Sequence, residues 1–172
     1  MNSHIKRLTS LAQYNIALTH LLAQCIKSGA SLGFNTCNNT QPLSAYWEAV
    51  DMQLTSRIFL GYFCDNTLVG CVHYTRCLKP NGVHRAEVEK LLVHPQYQRQ
   101  GIASALMQSL ECEAIKQGIE LLTLDTQTGD NSEKFYQTIN YIKCGEIPHF
   151  VRDSNGLFFS TSYYFKKLFS TS

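Results

Sequence analysis

Apolar residues recur along the chain with two periods, and the switches between them mark the elements. Ile102, Leu106, Leu110 and Ala114 repeat every fourth residue, with Ala103, Met107 and Ile115 widening the stripe. That spacing predicts an amphipathic helix docked on a core. Gly118, after Lys116, suits its C-terminal end. Ser10 is a candidate N-cap for an earlier helix running to about Ser28, with Leu11, Ile16, Leu18, Leu22 and Ile26 among its apolar positions and Gly29 as its stop. A third helical pattern covers Ser44 to Leu54, with Tyr46, Trp47, Val50 and Leu54 on one broad face, and a short one covers Ser132 to Ile139. The polar stretch Ser31 to Gln41 reads as a loop.

Strand patterns fill the intervals. Ile5 to Thr9 is a first short strand; Arg57 to Phe63 and Leu68 to Thr75 flank the turn sequence Asp65-Asn66-Thr67 and predict a hairpin. Lys79-Pro80-Asn81-Gly82 turns the chain into a strand from about Arg85 to Val93. Leu121 to Thr126 follows the long helix as a parallel strand, because strand, helix and strand in that order form a right-handed crossover. Ile142 to Ile147 and Phe158 to Phe165 are late strands. One mixed sheet with helices on both faces is the economical α/β architecture.

Composition narrows the picture. At 172 residues and 44% hydrophobic, the chain is expected to form a single domain over 1–172 with a full core. A net charge of +2 and scattered basic residues give no footprint for nucleic acid. No run of apolar residues is long enough to span a bilayer, and the opening Met1 to Arg7 lacks the apolar core of a signal peptide, so the expected location is the cytoplasm, with no membrane partner. The seven cysteines contain no Cys-x-x-Cys pair and read as buried reduced thiols, with Cys112 partly exposed; no metal is expected.

The strongest chemical signal joins the strand Glu87-Val88-Glu89-Lys90-Leu91-Leu92-Val93 to the turn Gln98-Arg99-Gln100-Gly101 and the helix opening Ile102-Ala103. A strand ending in a glycine-bearing turn at a helix N-terminus aims backbone N–H groups and a positive helix end at one point, which suits a pyrophosphate. Gly101 and Ala103 let the backbone approach phosphate oxygens, and Gln98 and Arg99 can add donors. Read locally, the same residues also describe an ordinary strand, turn and surface helix. The P-loop and the three-glycine dinucleotide fingerprint are both absent.

The order of strand, Gln-x-x-Gly-x-Ala, helix, Leu121-Leu122-Thr123-Leu124-Asp125-Thr126 and Asn131-Ser132-Glu133-Lys134-Phe135-Tyr136 resembles the acetyl-CoA half of the GNAT superfamily of N-acetyltransferases. Gly29 to Phe34, Lys79 to Gly82, Arg85 to Val88, Gly145 to Pro148 and Tyr164 to Leu168 are similar to its tabtoxin-resistance branch. The resemblance runs from about Ser10 to Leu168 and is weakest between Cys37 and Phe63. It implies a mostly antiparallel sheet of about seven strands with a splayed central parallel pair, acetyl-CoA as cosubstrate, and a small-molecule amine as acceptor. The cofactor candidates are Leu91, Leu92, Val93, Gln98, Arg99, Gln100, Gly101, Ile102, Ala103, Ser104, Asn131 and Lys134.

Acyl transfer to an amine sets three tasks. An amine of pKa about 8 to 10.4 must lose a proton, the tetrahedral oxyanion needs N–H donors, and the departing thiolate is helped by an acid. Asp125 ends an apolar strand at the edge where open α/β sheets bind ligands, and partial burial would raise its pKa toward that of a base; otherwise it is a solvated start to the Gln127 to Asp130 loop. Glu87 and Glu89 share a strand face unless a bulge intervenes, and such pairs also arise on plain solvated faces. The resemblance matches Glu87 and Asp125 to acidic residues that activate the substrate through ordered water. It also places Tyr136 where a tyrosine commonly reaches the CoA sulfur, although Tyr136 beside Phe135 equally suits core packing. The oxyanion donors are expected from the amides near Leu92 and Val93, and His94 before Pro95 is expected to be a surface residue at the strand exit.

The acceptor walls are expected at Ser31 to Phe34, at Tyr46 and Trp47, and at His149 to Arg152, with Phe34, Trp47, Glu89 and Phe150 as substrate contacts. The resulting reading is an acetyl-CoA:amine N-acetyltransferase working by direct attack in a ternary complex on an amino acid or dipeptide-like molecule, including a toxin or antibiotic. A protein acetyltransferase and a noncatalytic acyl-CoA-binding or protein-interaction module are the alternatives. The chain is expected to be a monomer or a homodimer.

Overall fold

The computed structural model describes residues 2–168. Seven strands form one sheet in the order β1-β2-β3-β4-β5-β7-β6. They are β1 (Ser3–Arg7), β2 (Arg57–Cys64), β3 (Thr67–Arg76), β4 (Arg85–Val93), β5 (Leu121–Gln127), β6 (Ile142–Arg152) and β7 (Phe158–Lys167). Four helices accompany them: α1 (Asn15–Lys27), α2 (Gln41–Asp51), α3 (Ile102–Lys116) and α4 (Asn131–Thr138). Every neighbouring pair of strands is antiparallel except the central pair β4 and β5. The architecture is the one the resemblance implied.

Two apolar layers cover the sheet. On one face Leu106, Met107, Leu110 and Ala114 of α3 and Tyr136 of α4 pack on Ala86, Val88, Leu122 and Leu124. On the other, Leu18, Leu21 and Leu22 of α1 and Leu43, Trp47 and Val50 of α2 pack on Phe59, Phe63 and Cys71. Each fully buried leucine is worth about 1.5–3 kcal/mol of transfer free energy, which fixes both helix pairs on the sheet.

Local chemistry explains most element ends. Asp65 and Asn66 take positive φ of 45° and 66° in the β2–β3 turn, a conformation their short polar side chains tolerate. Gly29, at φ 96°, closes α1 while the Ala30 N–H donates to the Cys25 carbonyl. The N-terminus of α4 is capped twice, by Asp130 accepting from the Asn131 N–H at 2.7 Å and by Glu133 accepting from the Gly129 N–H at 2.7 Å.

Several boundaries and burials differ from expectation. The first helix begins as a 3-10 turn at Ala12–Tyr14 and becomes α-helical only at Asn15. Ile16 on it is 87% exposed rather than part of the apolar face. The second helix starts at Gln41, since Pro42 lies in its first turn where a missing N–H costs nothing, and Leu54 falls in a separate 3-10 turn. The strand β6 continues through Pro148 to Arg152 by way of an irregularity between Ile147 and Val151, where His149 takes φ 57°. All seven cysteines are free thiols, but only Cys25, Cys64 and Cys71 are buried; Cys112 and Cys144 are exposed.

Glu133 supplies a pH-dependent test of the α4 docking. Desolvation opposes its charge, but hydrogen bonds from Gly129 N–H and the Tyr164 hydroxyl, with Ser162 and Lys143 alongside, outweigh it and pull its pKa from the usual 4.5 to about 2. A depressed carboxyl contributes stability above its unfolded value and loses it as pH falls toward the folded value. Thermal denaturation is therefore expected to show Glu133→Gln less stable than the parent at pH 7, with the difference shrinking between pH 4.5 and 2.

Candidate functional site

The parallel pair β4 and β5 is hydrogen-bonded only at Arg85–Leu121, Ala86–Leu122 and Glu87–Thr123. Beyond these rungs β4 keeps pairing with β3 as far as Val93, and β5 keeps pairing with β7 as far as Gln127. The two strands part company, and a wedge-shaped gap opens in the middle of the sheet.

A β-bulge accompanies the parting. Cys71 pairs with Leu92 and His73 with Glu89, so three steps on β4 face two on β3. Lys90 is in the bulge, at φ 51°. The extra residue flips the parity of the strand: Ala86 and Val88 face the α3 layer, whereas Leu92, which alternation alone would put with them, is buried in the α1–α2 layer. Leu91 and Val93 turn instead toward the α3 side.

That side holds a cavity of about 420 Å³ lined by Leu91, Val93, Tyr97, Gln98, Arg99, Gly101, Ile102, Ala103, Ser104, Asn131, Ser132, Phe135 and Tyr136. Its floor is the turn before α3. Arg99 and Gly101 both have positive φ, 61° and 80°, and a Cβ added at Gly101 would meet no protein atom within 4 Å. The helical ladder of α3 starts with the Ala105 N–H donating to the Gly101 carbonyl. The amides of Ile102, Ala103 and Ser104 therefore lie outside it at the positive end of the helix dipole. The geometry is a backbone anion cradle.

Three of the twelve cofactor candidates lie elsewhere. The Leu92 side chain is buried in the opposite layer, leaving only its main chain near the gap. Gln100 bonds back to the Gln96 carbonyl at 3.4 Å, and Lys134 is exposed outside the cavity wall. Tyr97, Ser132 and Phe135 line the cavity without having been singled out. Ser132 lies one helical turn before Tyr136, and Phe135 one turn after Asn131, so helical periodicity carried the signal for both.

Across the sheet, register places Glu87 beside Thr123 and puts Asp125 on the same face, two residues on. Asp125 is exposed, not part-buried, and one carboxylate oxygen accepts from Thr161 Oγ1 at 3.0 Å. Glu87 is exposed at the mouth of the gap, yet its pKa is raised by partial desolvation and by the charges of Glu89 and Asp125. Glu89 is tied down: Arg57 Nη1 lies 3.1 Å from its Oε1, and the Thr75 hydroxyl donates to the same oxygen. Tyr136 reaches from the other layer, packed against Phe135, Tyr141 and Tyr164, and burial together with the Asp125 charge raises its pKa well above the usual 10. It stays protonated at neutral pH. His94 is partly exposed at the exit of β4, and its Nδ1 accepts from the Gln96 N–H at 3.3 Å and so caps the following turn.

Phe34 and Phe150 line a second cavity of about 510 Å³ near the end of β5, with Gln127, Arg152 and Asp153. Trp47 does not join them. It is fully buried against Phe59 and His73 and only backs Tyr46, which packs edge-on to Phe34. A further depression of about 460 Å³ beside Arg7, Cys112 and Glu113 lies away from the gap.

Residues 33–141, which carry the bulged strand, the cradle turn and α4, match the profile of the acetyltransferase (GNAT) family. The chain belongs to the GNAT acetyltransferase family. It is an acyltransferase that takes acetyl-CoA as cosubstrate. Solved GNAT structures share the fold across nearly the whole chain. An N-acetyltransferase from Staphylococcus aureus aligns with TM-score 0.82 at 17% identity, over 98% of this chain and 100% of that one. A protein from Salmonella typhimurium assigned as an acetyltransferase, solved with its cofactor acetyl-CoA, aligns with TM-score 0.80 at 16% identity, over 100% and 97%. One assigned as a phosphinothricin N-acetyltransferase aligns with TM-score 0.83 at 14% identity, over 98% and 100%.

Gly101 tests the cradle of this GNAT protein. An alanine there is strained by the left-handed backbone, at a cost of about 1–2 kcal/mol, and puts a methyl group where a phosphate oxygen would approach. Gly101→Ala is expected to raise the KM for acetyl-CoA by about tenfold or more, measured by thiol release under saturating acceptor.

Proposed function

We propose that the protein transfers the acetyl group of acetyl-CoA to a primary amine of a small molecule, by direct attack in a ternary complex. The observation that carries this reading is the gap between β4 and β5, with an anion cradle on one side and a cluster of carboxylates on the other. A cosubstrate and an acceptor approaching from opposite faces would meet there.

In this scheme the amides of Gly101 to Ser104 and the side chains of Gln98 and Arg99 hold the pyrophosphate, and Leu91, Val93, Asn131 and Phe135 flank the arm that carries the thioester. The parted strand leaves main-chain N–H groups near Leu92 and Val93 for the oxyanion. Glu87 and Asp125, directly or through water, take the proton from the amine. Glu87 is the better partner for Asp125 than Glu89, because Glu89 is committed to Arg57 and Thr75 while Glu87 enters no ion pair among the described residues. Its raised pKa brings it closer to the amine it must deprotonate. Tyr136 gives its proton to the departing thiolate. The carboxylate cluster also favours an acceptor that arrives as an ammonium ion.

The aromatic side chains Phe34 and Phe150 on the wall of the second cavity suit a small acceptor. The sequence likeness to the tabtoxin-resistance branch and the shared fold of the phosphinothricin N-acetyltransferase point to amino-acid-like acceptors, toxins included. The expected location is the cytoplasm, as a monomer or homodimer.

Mass-spectrometric detection of N-acetylated products from a panel of amino acids, dipeptides, polyamines, aminoglycosides and lysine peptides tests the reading. Asp125→Asn and Glu87→Gln are each expected to lower kcat by about 10²-fold or more, and Tyr136→Phe by at least about tenfold with little change in the KM for acetyl-CoA. Because Glu87 must be ionised to act and its pKa is raised, the acidic limb of the parent's kcat profile is expected above the ordinary glutamate range and is expected to move in Glu87→Gln. Acetyl-CoA binding with no product from any amine would favour the noncatalytic reading instead.

A further inference from the structure

A chain of polar groups centred on the buried His73 runs from β4 to α2 behind the acceptor face. Arg57 Nη1 carries two hydrogens, and two acceptors lie in range: Glu89 Oε1 at 3.1 Å and His73 Nδ1 at 3.3 Å. A guanidinium can only donate, so His73 Nδ1 must accept. His73 is fully buried, and desolvation with the nearby positive charges of Arg57 and Lys90 keeps it neutral. Its single proton is then on Nε2, which lies 3.2 Å from the Tyr46 hydroxyl. That hydroxyl accepts from His73. The tautomer is set at the far end of the chain by Arg57.

One donor is left over. The Tyr46 proton has no acceptor among the described residues, and Tyr46 is half-buried, packed on Phe34 of the acceptor cavity. Lys90, in the β4 bulge, lies with Nζ 5.0 Å from the centre of the same ring. Its ammonium is largely desolvated and makes no ion pair among the described residues, although Glu89 and Asp125 act on it at longer range. A cation on the face of the Tyr46 ring and a hydroxyl proton at its end thus both lack an acceptor among the described residues, behind the Phe34 wall of the acceptor cavity.

We propose that Lys90 and Tyr46 bind a carboxylate of the acceptor, so that the substrate is an amino acid or dipeptide carrying both a reactive amine and a free carboxylate. This deepens the acetyltransferase reading above and rests on it. The site is then dipolar to match: Glu87 and Asp125 meet the ammonium end, and Lys90 and Tyr46 the carboxylate end. A monoamine or polyamine would offer Lys90 no anionic partner of its own, beyond the longer-range charges of Glu89 and Asp125. The bulge matters here as well, because the inserted residue is what places a lysine on this face.

The test compares acetylation of L-amino acids and dipeptides with that of their C-terminal carboxamides, as the ratio of kcat/KM for free acid over amide within each variant. A general loss of folded enzyme cancels in that ratio. The parent is expected to prefer the free acids by about tenfold or more, as for hydrogen bonds to a charged group. Lys90→Met is expected to bring the ratio near one, Lys90→Arg to keep most of it, and Tyr46→Phe, which retains the ring beneath the lysine, to lower it by about two- to fivefold. A parent ratio near one, or a ratio unchanged in Lys90→Met, overturns the carboxylate site while leaving N-acetyl transfer standing. No acetylated product from any acid or amide overturns the carboxylate site, and no product from the polyamines, aminoglycosides and lysine peptides either, with acetyl-CoA bound, overturns N-acetyl transfer as well.

Discussion

The structure depends on the point at which β4 stops pairing with β5. Three parallel rungs hold the strands together, and after Glu87 and Thr123 each strand follows its outer neighbour instead. A continuous sheet would seal its two faces from one another. By parting, the central strands give up inter-strand hydrogen bonds and leave a gap, with the cradle on the α3 side and Glu87 and Asp125 on the strand face that looks to the α1–α2 side.

The bulge at Lys90 is the local device that goes with the parting. It adds a residue to β4 without lengthening β3, so the strand changes which side chains it shows to each layer. Val88 packs under α3 and Leu92 under α1 and α2, and the cores on both faces stay apolar because the flip occurs between them. Without the flip, Leu91 and Val93 would face away from the cavity they line. Lys90 itself lands beside Tyr46.

Burial and charge give the acidic residues different surroundings. Three carboxylates on neighbouring positions repel one another, and the fold relieves this by giving Glu89 a guanidinium and a hydroxyl while leaving Glu87 and Asp125 toward the gap. Arg57 in turn is held by Gln53, four residues before it, and by His73 and Glu89 from farther along the chain. These bonds join Glu89 through Arg57 and His73 to Tyr46 in one polar chain.

The sequence by itself determined the elements and the cradle. Fourfold spacing in α3, the Asp65-Asn66 turn and the Gln98 to Gly101 turn are local properties, written in neighbouring residues and dictated by helix period and by positive-φ tolerance. Glu87, Asp125 and Tyr136 were legible because strand alternation and the family pattern fix them relative to those elements. Only the tertiary structure decided that Trp47 is core while Tyr46 packs on Phe34 of the acceptor cavity, that Leu92 turns away from the cradle side, that Ile16 is exposed, and that Glu89 is spent on Arg57. Each of these follows from contacts between residues far apart in sequence, and a one-residue bulge reverses which face a side chain takes without leaving a mark in composition or period.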